Sequence, residues 1–186
     1  MHLIKRYFPY IASSFFLLLF GISFFTFYYR DKQVMANVMV SDIAKLASLF
    51  TTIDKQCTIL SFDYEKNHIN FLNVGTFSSS EVGSMNLAHP EHWQGPYVDD
   101  NPTMQGKEYE VVRTFKGYYI VPGTGVKLPN GKVIGTDLIL NEKSDIERLI
   151  QDDLSYNGQA LAAPLPLSAS KVALPEPLAR QSFEEF

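Results

Sequence analysis

The sequence predicts an α+β protein: a long N-terminal helix, transmembrane in its first half, packed in its second half on a small antiparallel β-sheet. Three observations carry this. Residues 7–29 contain no charge. Apolar residues then keep recurring at three- and four-residue spacings to about residue 55. Beyond residue 57 the pattern changes to short β-rich runs separated by Gly, Pro and Asn turns.

The first element is a basic stub, residues 1–6, ending in Lys5-Arg6, and the second is the uncharged run at 7–29, closed by Arg30-Asp31-Lys32. As a helix the run extends roughly 35 Å, enough for a hydrocarbon core of about 30 Å with some tilt. Phe15, Phe16, Phe20, Phe24 and Phe25 lie centrally, while Tyr7, Tyr10, Tyr28 and Tyr29 lie at the ends, where phenol groups reach the headgroup layer. A buried core helix would be shorter and carry a polar face. A cleaved secretory signal shares the basic-then-apolar pattern, but the run exceeds a usual signal core, and the nearest small-x-small site, Gly21-Ile22-Ser23, lies inside it. Positive charges balance across the run and do not orient it. The shortness of the stub favours a cytoplasmic N-terminus in the inner membrane and a periplasmic or cell-surface C-terminal domain.

The third element, residues 30–56, continues the helix. Met35, Val38, Met39, Ile43, Leu46, Leu49, Phe50 and Ile53 form one stripe, and no Gly or Pro interrupts residues 22–56. Asp42 falls at the stripe's edge, where a carboxylate reaches water or pairs with a neighbouring subunit.

A β-rich head is expected over residues 57–154. Runs at 58–62 and 68–74 flank Glu65-Lys66-Asn67 and read as a hairpin; a loop-rich stretch follows to Gly106. Residues 108–114 and 117–121 are tightly joined, and residues 126–128 and 132–140 flank Pro129-Asn130-Gly131, where Asn130-Gly131 is a strong hairpin turn signal. Ser144-Asp145-Ile146-Glu147 reads as a capping box opening a helix from Asp145 to about Leu154. Residues 155–186, with Pro164, Pro166, Pro175 and Pro177, read as an extended tail.

Composition narrows function. Setting aside Lys5 and Arg6, 14 of the 16 basic residues face all 20 acidic ones, a formal charge of −6 that argues against a nucleic-acid partner. The single cysteine, Cys57, forms no internal disulfide and no cysteine-based zinc cluster. His89-Pro90-Glu91-His92, near Asp99 and Asp100, offers metal-ligand types, but Pro90 argues against a helix presenting both rings on one face, so a solvated loop is expected. Ser78-Ser79-Ser80 lacks a Gly-x-Ser-x-Gly context for a nucleophile. Glu108 and Glu110 alternate about Tyr109 and are expected on a solvated strand face. None of these builds an active site, and no enzyme is expected.

A family resemblance rests on Trp93-Gln94-Gly95-Pro96-Tyr97, on Asn101-Pro102 and Tyr109, and on Gly123-Thr124-Gly125, Asn130-Gly131 and Gly135-Thr136-Asp137. Together with the helix-then-sheet order, these resemble type IV pilin-like proteins, and most the major pseudopilin of type II secretion systems, loosely over residues 7–140. Physically, Trp93, Gly95, Pro96 and Tyr97 need be no more than a Gly-Pro turn pinned by two aromatic rings. The resemblance implies a structural assembly role, with other pilin-like subunits or secretion-system membrane proteins as partners beside the lipid bilayer. It also implies calcium as the one cofactor, with Asp137 matching the family's last aspartate. Two features depart from the family. Residues 5–12 carry neither the glycine nor the glutamate of the prepilin peptidase site, and Gly125-Val126 replaces an earlier Asp-Gly of the calcium loop. The alternatives are a non-polymerising single-pass scaffold or sensor, and an anchored periplasmic binding or enzymatic domain.

Overall fold

The computed structural model describes residues 2–171. One helix, α1 (His2–Cys57), runs unbroken from the N-terminus. Its apolar stretch is long enough to cross a membrane and is not buried by the rest of the chain. From residue 30 onward one face turns inward: Ala36, Met39, Ile43, Leu46, Phe50, Ile53 and Cys57 are buried, alternating steps of three and four residues, the spacing of a seam. Val38, expected in the stripe, is exposed, because the seam passes through Ala36 and Met39 instead. Thr58, at φ 53, ends the helix in the left-handed region, its N–H bonded to the Asp54 carbonyl.

The head is built from short strands: β1 (Ile59–Phe62), β2 (Lys66–His68), β3 (Glu81–Val82), β4 (Met85–Leu87), β5 (Thr103–Met104), β6 (Lys107–Glu108), β7 (Glu110–Thr114) and β8 (Gly117–Val121). After these come the helix α2 (Ile146–Gln151) and the strands β9 (Ser155–Tyr156), β10 (Gln159–Ala160) and β11 (Ala163–Leu165). The main sheet is antiparallel in the order β11-β8-β7-β2, and a second sheet has the order β1-β4-β3. Phe50 of α1 meets Phe62 and Phe71 at centroid distances of 6.0 and 6.2 Å, and Phe62 meets Tyr118 at 5.3 Å, so helix and both sheets share one core. The tight β7–β8 hairpin lies where the sequence places it.

Several expectations are corrected. Residues 58–62 and 68–74 do not pair with each other: β1 pairs with β4 and β2 with β7, and the chain leaves the extended strand after His68 to turn Ile69, Phe71 and Leu72 into the core. The Asn130-Gly131 turn closes through a single bridge, Lys127 to Val133, rather than a long hairpin. Asp145, not Ser144, caps α2, accepting from the Arg148 N–H, and the helix stops at Gln151 because Leu154 turns into the core.

Residues 155–171 of the expected tail are instead part of the head. Strand β11 forms the edge of the main sheet, with Pro164 opposite Tyr119, a place where a missing N–H is tolerated. Leu161, Leu165 and Leu167 are buried. The β9–β10 hairpin reaches α1 through Asn157 Nδ2 to Gln33 Oε1 (2.7 Å) and Gln159 Nε2 to Asn37 Oδ1 (3.1 Å). Pro175 and Pro177 lie outside the described residues.

Candidate functional site

The Trp93–Tyr97 segment follows a 3-10 turn at Pro90–His92 and packs against residues 71–77 and the last turn of α1, not against a regular sheet. The Trp93 indole donates to the Val74 carbonyl (3.0 Å) and meets Phe77 and Tyr97 edge to face at 5.3 and 4.8 Å. Tyr97 donates through its hydroxyl to Gln56 Oε1 (2.8 Å) and through its N–H to the Leu72 carbonyl (2.8 Å). Burial, first among its causes, raises the phenol above its ordinary range. Gly95 is required by close approach: a Cβ there would lie 2.4 Å from both the Trp93 indole nitrogen and the Val74 carbonyl oxygen. Pro96 follows through a cis peptide. Trp93 is only half-buried, short of a fully enclosed ring.

Asn130 and Gly131 occupy the turn after β8. Asn130 accepts from the Lys132 N–H (3.1 Å) and donates to the Asp153 carbonyl (2.7 Å), while Gly131 adopts φ +98. Asp137 is exposed, and its Oδ2 accepts from the Val133 N–H at 2.8 Å, closing its own turn. Calcium needs six to eight oxygens. One exposed carboxylate with an oxygen committed to the backbone does not fit that ion.

Three acidic residues take partners inside the chain. Glu110 is buried rather than solvated, because its carboxylate accepts from the Thr124 N–H (2.9 Å) and hydroxyl (3.2 Å). Asp42 is half-buried at the stripe's edge, as expected, and accepts from the Tyr109 hydroxyl at 3.0 Å. Asp54 accepts from the Ile59 N–H and from the Ser168 N–H and hydroxyl, tying the last described turn to α1. An acid in the last turn of a helix opposes the macrodipole, and that was the one signal in the sequence that it serves another segment. Ser79 accepts from the Glu81 N–H and donates to its carbonyl, a local turn.

The histidine loop is exposed, as expected, but its two rings are placed differently. Pro90 does not separate the rings. It opens the 3-10 turn, where a missing N–H costs nothing, and His89 and His92 stack at 5.5 Å with 27° between planes. Asp99 and Asp100 are not part of this grouping; among the described residues it consists of His89, Glu91 and His92.

Fold and site together define an α+β head carried on one apolar helix compatible with a single-pass anchor. The architecture fits a pilin-like plan. No family model, curated protein or solved structure gives a match to the chain.

Proposed function

We propose that the chain is a structural subunit of a pilin-like assembly serving type II secretion or a type IV pilus-like system. It is held once through the inner membrane, with its N-terminus cytoplasmic and its head periplasmic or at the cell surface. The observation that carries this reading is the division of α1. From Phe15 to Tyr29 its large apolar side chains are exposed around the whole circumference, whereas its second half is seated in the head. A helix so divided leaves its first half for lipid and for the equivalent helices of neighbouring copies, while the heads meet through loops. The Trp93–Tyr97 loop, pinned on α1, supports the resemblance from the side of the head.

A second reading, a non-polymerising scaffold or sensor whose helix packs on a different membrane protein, is favoured by the missing peptidase glycine and glutamate. Cysteines placed singly between residues 12 and 29 and oxidised in native membranes separate the two. The assembly reading expects disulfide-linked dimers on at least one face of the helix, with larger species when two faces carry cysteines. No self-crosslinking at any position would overturn it.

A further inference from the structure

The turn at residues 89–92 gathers three exposed side chains with metal-ligand atoms against the end of α1. The His92 Nδ1 lies 3.1 Å from the carbonyl oxygen of Gln56 in the last turn of α1. A carbonyl only accepts, so Nδ1 donates there, and Nε2 is the ring nitrogen left for a ligand. That atom faces Glu91 Oε1 at 4.0 Å, and the same oxygen lies 3.3 Å from His89 Nδ1. One ligand atom from each of the three side chains lies within 4.8 Å of the others.

In a tetrahedral site with bonds of 2.0–2.2 Å, ligand atoms are roughly 3.3–3.5 Å apart. Closing the observed spacing to that value takes shifts of about 1 Å at exposed side chains. The contact to the Gln56 carbonyl is the outer partner that a metal-ligating imidazole ordinarily has, fixing both tautomer and ring orientation. The turn itself is fastened, since the His89 N–H donates to the Cys57 carbonyl at 2.9 Å. Beside His92 a groove of about 350 Å³, lined by Gln56, Glu91, Trp93 and Gln94, has room for water at a fourth position.

We propose that His89, Glu91 and His92 bind a divalent transition metal of the Zn²⁺ class, with water as the remaining ligand, locking the side chains of this turn while His92 stays bonded to the end of α1. Two imidazoles and a carboxylate suit zinc and its neighbours in softness, not calcium. The site is independent of the assembly reading.

The test uses the full-length chain in detergent micelles, titrated with ZnCl2 by calorimetry and with CoCl2 by visible absorption. One saturable equivalent is expected, together with the absorption bands of low-coordinate cobalt. His89→Ala, Glu91→Gln and His92→Ala should each weaken binding by roughly tenfold or more. His68→Ala, which removes an imidazole beside Glu108 and Glu110, should leave it unchanged. All three ligands are exposed, so the variants are expected to fold, and a thermal melt without metal checks this. Absence of saturable binding, undiminished affinity in the His89→Ala/His92→Ala double variant, or loss on His68→Ala alone would each overturn the assignment.

Discussion

The two halves of α1 are made of similar apolar residues and meet opposite surroundings. Phe20 is 71% exposed, whereas Phe50 is fully buried and touches two other rings. The difference lies in patterning, not in hydrophobicity. Residues 12–29 are apolar on every side, which suits a solvent that is itself apolar. Residues 30–57 confine their buried residues to one seam and surround it with Asn37, Ser41, Lys45 and Ser48, which suits a helix with water on one side and a protein core on the other. One unbroken helix can therefore serve two solvents with no break in its backbone.

The largest expected effect breaks this comparison at its buried end. Phe50→Ala removes a fully enclosed ring and should destabilise the head by about 3–5 kcal/mol. Phe20→Ala should leave head unfolding unchanged. Thermal or denaturant unfolding of both variants in detergent, followed by near-ultraviolet circular dichroism, reads the contrast; equal losses would erase the distinction between the halves.

A smaller effect belongs to the loop that seals the end of the seam. Trp93→Ala removes a half-buried ring, its bond to Val74 and two edge-to-face contacts, and should cost about 2–3 kcal/mol, less than a fully buried indole would. The same unfolding experiment measures it, and a variant melting like the parent would show that the loop does not hold α1.

The smallest sits at the polar edge of the seam, where Tyr109 donates to Asp42. Tyr109→Phe should cost about 1–2 kcal/mol near neutral pH. Burial, then the Asp42 charge and the hydrogen bond to it, raise the folded phenol far above its ordinary value of about 10. A raised folded value means a contribution fully present below about pH 10 and lost as pH rises above it. Parent stability should therefore fall more steeply than that of Tyr109→Phe in alkaline unfolding curves; parallel curves would count against the buried phenol.

How much of this was legible follows from the range over which each signal acts. The helix and the β7–β8 hairpin are local, and their periodicity stands in the sequence. The partner of β1 is not: β4 is a three-residue strand inside a loop-rich stretch, too short to show alternation, and only the shared core with Phe62 selects it. Pro164 read as a tail residue because proline is excluded from sheet interiors, yet an edge position accepts it. In the histidine loop the same residue type misled again, since the rule against proline inside helices does not apply to the first position of a 3-10 turn. The burial of Glu110 depends on Thr124, fourteen residues away across a turn, which no spacing rule reaches.

The central claim, that α1 passes from an apolar to an aqueous surrounding near residue 30, is tested most directly by spin labels placed one at a time along the helix in lipid vesicles. Relaxation by oxygen and by a water-soluble nickel chelate reports depth at each site. Oxygen-dominated relaxation is expected at residues 12–29. Beyond residue 31 nickel-dominated relaxation is expected on the exposed face, with immobilised labels at Ala36, Ile43 and Phe50. Nickel-dominated relaxation throughout residues 12–29 would contradict it.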